Sequence, residues 1–125
     1  MKLTYKIKYF TVEELSCPCC GLFNIHPMSV KKIDLMREAL GFPLLINSCC
    51  RCEKHNREVG GVGDSSHLCS ITRESFAFDI SALSGEKKFH IVQMALRYGF
   101  HRIGIYEDFV HIDDNLSKPS AIWHG

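Results

Sequence analysis

Apolar and polar positions alternate in two distinct rhythms along the 125-residue chain. In residues 29–40 (SVKKIDLMREAL), Val30, Ile33, Met36 and Leu40 recur at helical spacing. Ser29 stands where an N-cap belongs and Gly41 where a helix ends. Residues 43–48 (PLLINS) form a short apolar run suited to a buried strand. A polar stretch without periodicity follows, from Cys49 to about Glu74, and long loops of this kind in small domains are usually functional. In residues 76–81 (FAFDIS), Phe76, Phe78 and Ile80 point one way, and Ala77, Asp79 and Ser81 the other. A second helix is predicted over 86–98, with Phe89, Val92 and Leu96 inward and Gly99 at its end. Two short strands, 103–106 and 109–113, complete the pattern around an acidic turn at Glu107-Asp108. On the second strand Val110 and Ile112 share one face; Phe109, His111 and Asp113 share the other. This order predicts an α+β fold, with a mainly antiparallel sheet and helices packed on one face, in a single domain spanning residues 1–125.

Composition narrows the function. Fifteen basic residues against fourteen acidic ones give no electrostatic footprint for nucleic acid or an anionic membrane. No apolar run is long enough for a membrane span, and the opening MKLTYKIKYF lacks a secretory core. The expectation is synthesis in the cytoplasm without a signal peptide.

The seven cysteines, mostly adjacent or one apart, make a poor disulfide framework. Cys17/Cys20 and Cys49/Cys52 both have the Cys-x-x-Cys spacing of structural zinc knuckles. Reduced thiols packed in the interior are the simpler reading. A structural module built on a cysteine-held zinc stays open as an alternative.

Three polar residues fall where a bland core would not put them. His67 ends the segment Gly60-Gly61-Val62-Gly63-Asp64-Ser65-Ser66-His67, while Asp79 and His111 interrupt apolar strands. A carboxylate in a buried strand is costly unless paired or bound to a cation. Two imidazoles and one carboxylate form a common catalytic zinc set.

Further motifs run in order along the chain: Arg51 at a strand end, His55-Asn56, Gly60-Gly61, Ser65-Ser66-His67, Ala77-Phe78-Asp79 and Val110-His111-Ile112-Asp113. Over roughly residues 10–123 this series resembles the M15 family of zinc D-Ala-D-Ala carboxypeptidases and L-alanyl-D-glutamate endopeptidases, which share a fold with the hedgehog signalling domain. The resemblance implies one Zn2+ held by His67, Asp79 and His111, with Arg51 and Ser65 binding substrate. Asp113 would orient a ligand from behind. The implied substrate is the stem peptide of bacterial peptidoglycan, and a cell-wall enzyme without a signal peptide would need a phage or prophage route of release.

Two departures from the family pattern matter. Eleven residues, Leu68 to Phe78, separate His67 from Asp79, and the shorter family spacing would land on Glu74 as an alternative ligand. The general base expected three residues before the last His falls on Asp108, with Glu107 beside it. Both departures leave open a catalytically impaired fold that binds peptidoglycan or a partner.

Overall fold

The fold rests on five short strands whose inward residues are branched or aromatic. In a computed structural model describing residues 5–125, these are β1 (Ile46–Ser48), β2 (Ala77–Ser81), β3 (Arg102–Ile105), β4 (Phe109–Asp113) and β5 (Ala121–His124). Residues 1–4, where the stretch read for a secretory core begins, lie outside the described residues. The strand order is β1-β2-β4-β3-β5. Three pairings are antiparallel, and β3–β5 is parallel, which the short AIWH segment did not announce. The mixed α+β architecture and the mainly antiparallel sheet are as expected.

Strand alternation splits the sheet into a dry face and a polar one. Phe78, Ile80, Ile103, Val110 and Ile112 are fully buried on the dry face. The helix α4 (Gly85–Arg97) packs on β4, and α2 (Pro27–Leu40) packs on α4. On the polar face the register draws one row across all five strands: Ser48, Asp79, His111, Gly104 and Trp123. That row positions the site.

Several local expectations need correction. Helix α2 begins at Pro27, after His26, so Ser29 lies inside it and donates its hydroxyl to Asp114 at 2.6 Å. Gly41 does close the helix, at φ 73°. In α4 the buried stripe is Ile91 and Ala95, whereas Phe89 is 61% and Leu96 50% exposed. Each helical residue turns the face by ~100°, so a frame shift of one residue moves the stripe away from the expected positions. The polar loop contains α3 (Glu53–Glu58), whose six residues are too few to show a helical period. Helix α1 (Val12–Leu15) is fixed by a capping box between Thr11 and Glu14. Among the described residues, no helix is long and apolar enough to cross a membrane.

Candidate metal centre

His67, Asp79 and His111 converge at the base of a cleft of about 490 Å³. Their facing atoms form a small triangle. His67 Nε2 lies 3.0 Å from Asp79 Oδ1 and 3.2 Å from His111 Nδ1, and His111 Nδ1 lies 2.9 Å from the same Oδ1. Zinc bound tetrahedrally, with Zn–N and Zn–O near 2.0–2.1 Å, holds its ligand atoms about 3.3 Å apart. The triangle is close to that size.

The outer partners fix which nitrogens face inward. His67 Nδ1 is 2.8 Å from the carbonyl oxygen of Cys49, which can only accept, so Nδ1 carries the proton and Nε2 a lone pair. His111 Nε2 donates to Asp113 Oδ2 at 2.7 Å, leaving Nδ1 to face the triangle. With both rings neutral, the three inner atoms are all acceptors, so a cation must join them. A proton on His111 can do this, and so can a metal ion.

The electrostatics agree. Burial would raise the Asp79 carboxyl, but the His67 and His111 rings outweigh it and hold the group well below the usual carboxylate range. Burial lowers His67, and Asp79 offsets this only in part. His111 is also opposed by burial, yet its hydrogen bonds to Asp113 and Asp79 raise its pKa above the ordinary value. Asp113 is itself depressed: His111, the Asn115 N–H and Arg102 together overcome its burial. Asp113 thus sits behind the ring, on the side away from the triangle.

The loop before His67 is built around Asn56 and Arg51. Arg51 donates to Ser48 at 2.9 Å, Asn56 at 3.3 Å and Asp79 Oδ2 at 3.1 Å, using three of its five N–H groups. Asn56 donates to the Val62 carbonyl at 2.8 Å and accepts from Arg51, so it ties the turn to the guanidinium. A Cβ on Gly61 would collide with Asn56 and come within 3.1 Å of Arg51 Nη1, which explains a glycine there. Ser65 lines the cleft, and its hydroxyl accepts the His67 N–H at 3.2 Å, so it also shapes the turn that presents His67.

With this geometry in place, comparison with known families is decisive: the Peptidase M15 family model matches residues 8–113. The chain belongs to the Peptidase M15 family. No curated protein matches it significantly. Membership places the domain in a family of generally zinc-dependent peptidases, and the donor triangle fits that ion.

The longer spacing of this M15 chain is absorbed with Asp79 still in the triangle. Residues Ser70–Arg73 close a small exposed turn on themselves, and Phe76 N–H returns to the Ser66 carbonyl at 2.9 Å. Glu74 ends up beside His26, 3.1 Å from its Nδ1, and outside the triangle. Its place as alternative ligand is therefore corrected in favour of Asp79.

The expected base is also corrected. Glu107 and Asp108 are exposed at the β3–β4 turn and do not line the cleft. Both residues precede β4 (Phe109–Asp113) in the exposed turn, whereas Phe109, His111 and Asp113 line the cleft. The two Cys-x-x-Cys pairs do not combine into one four-sulfur site: Cys17, Cys20 and Cys52 bring their sulfurs together, and Cys49 is not among them.

Sequence reasoning missed one wall of the cleft. Tyr106 stacks on Phe109 with centroids 4.4 Å apart, and Trp123 Nε1 donates to the Tyr106 hydroxyl at 2.9 Å. Arg102 pairs with Asp113 and lies over the Trp123 ring. Gly104 makes room for this wall, since a Cβ there would meet Trp123 at 2.6 Å. Only the register β4-β3-β5 reveals it, and single-sequence patterning does not encode register between distant strands.

Proposed function

We propose that this protein hydrolyses peptide bonds in the stem peptides of bacterial peptidoglycan, with one zinc ion held by His67 Nε2, His111 Nδ1 and Asp79 Oδ1. The observation that carries the reading is the convergence of three acceptor atoms whose outer partners fix both imidazole tautomers. A zinc ion at this triangle supplies Lewis-acid polarisation of a carbonyl and makes water acidic enough to attack near neutral pH.

The remaining steps belong to the chain's own side chains. Arg51, Arg102 and Lys118 line the cleft against the carboxylates of Asp79 and Asp113. Together with a divalent cation this lining is net positive, which suits a peptide carrying free carboxylates, as stem peptides do. Arg51 keeps two N–H groups to grip a substrate carboxylate. Tyr106 receives the Trp123 N–H on its oxygen, so its own proton is free to be donated to a carbonyl oxygen that gains charge. Phe109 and Trp123 shield that side from water.

A second reading is a domain that binds the same peptides without cutting them. One observation favours it: Asp113, the only cleft carboxylate besides Asp79 among the described residues, is already committed to Arg102, His111 and the Asn115 N–H. Mass spectrometry of purified stem peptides incubated with zinc-loaded protein decides between the two. Cleavage products that vanish in His111→Ala support the peptidase. Peptides that bind but stay intact support the second reading, and peptides neither bound nor cut overturn both.

A further inference from the structure

Outside the cleft, a second group of ligand atoms gathers. The sulfurs of Cys17, Cys20 and Cys52 all lie within 4.8 Å of one another. We infer that these three thiols form a structural zinc site that staples the N-terminal segment to the loop carrying Arg51. This inference is independent of the reaction proposed for the cleft.

The local chain geometry is that of a metal knuckle. Cys17-Pro18-Cys19-Cys20-Gly21 places two sulfurs at Cys-x-x-Cys spacing and closes with Gly21 at φ 75°, a left-handed turn that favours glycine. Gly21 N–H returns to the Cys17 carbonyl at 2.7 Å, and Cys17 N–H reaches the Leu22 carbonyl at 2.9 Å, so the turn is fixed at both ends. The third sulfur arrives from 35 residues away, at the start of α3.

Backbone amides point at the sulfurs, as they do around thiolate ligands. Cys52 N–H faces Cys17 Sγ at 3.4 Å, and His55 N–H faces Cys52 Sγ at 3.4 Å. Tetrahedral zinc with Zn–S near 2.3 Å holds its sulfurs about 3.8 Å apart, so shifts of no more than about 1 Å close the set. Cys17 is buried, Cys52 half-buried and Cys20 exposed, which leaves the fourth position toward solvent. On binding, the ion displaces the thiol protons to solvent.

The remaining cysteines mark the contrast. Cys49, Cys50 and Cys69 are buried in the apolar core, and Cys50 Sγ contacts the Ser75 hydroxyl. They fit the reading of packed, reduced thiols. The staple has a definite place in the fold: Cys52 follows Arg51 directly and caps the helix that carries Asn56.

Metal content and cobalt substitution test the site on the full chain. Zinc-loaded wild type is expected to hold two ions per chain, one with sulfur neighbours in zinc X-ray absorption. Cobalt-loaded wild type should show sulfur-to-metal charge-transfer absorption. His111→Ala should keep that band, while Cys20→Ser and Cys52→Ser should lose it together with one of the two ions. Wild-type cobalt protein without the band overturns the inference. So does a disulfide joining two of the three sulfurs in protein isolated from reducing cytoplasm with its thiols blocked. Because the wild-type spectrum needs no variant, a misfolded cysteine substitution leaves the test intact.

Discussion

His111 has two nitrogens with two different obligations, and the balance between them sets how the site responds to protons. Its Nε2 is committed to Asp113, and its Nδ1 faces Asp79 and His67. In the metal-free fold its raised pKa means that the folded chain holds this proton more tightly than the unfolded chain does. That contribution to stability is complete below about pH 6.5 and is lost as pH rises through the raised value. Zinc follows the opposite sign, because it must displace the same proton. Zinc affinity is therefore expected to climb with pH through and above about 6.5, with proton release on binding detectable by calorimetry in two buffers. Asp113→Asn removes the charge behind the ring. It should weaken zinc binding by roughly 10- to 100-fold while leaving the circular dichroism spectrum unchanged.

Strands and turns decide which of these residues meet. Gly104 shows the dependence most directly: it sits opposite His111 on one side and Trp123 on the other, with no space for a Cβ. Gly104→Val should displace Trp123 and Tyr106, cost about 1–3 kcal/mol in thermal unfolding, and reduce turnover more than zinc content. The three residues of the triangle stand out in the sequence because each interrupts an apolar strand or ends a glycine-rich turn, and because the motifs occur in order. Alternation in residues 76–81 sets Asp79 with Ala77 and Ser81, and the fold brings Asp79 rather than Glu74 to the triangle because the extra residues leave as a surface turn at 70–73. The cleft wall at Arg102, Tyr106 and Trp123 was not legible, since it depends on β5 joining β3 in parallel. Asp108 differs from expectation because counting three residues back from His111 leaves β4, which begins at Phe109, and lands in the exposed turn. On α4 the expected Val92 does pack against the core, but Ile91 and Ala95 rather than Phe89 and Leu96 are buried beside it.

At the scale of the molecule, the sheet separates two tasks. Its dry face and the helices hold the fold together, and its polar face presents one row of residues from Ser48 to Trp123 to the cleft. A metal that binds only the folded chain stabilises it by mass action, about 2.7 kcal/mol at a hundredfold excess over Kd. For a chain of this length that is on the order of 10 °C in Tm. Chelation should lower the melting temperature by that amount, and restoring zinc should recover it. The central claim is that His67, Asp79 and His111 together hold zinc, and an anomalous difference map at the zinc edge, from crystals of zinc-loaded protein, tests it most directly. The predicted result is a peak within about 2.1 Å of His67 Nε2, His111 Nδ1 and an Asp79 carboxylate oxygen. No peak at that triangle in zinc-saturated crystals contradicts the account.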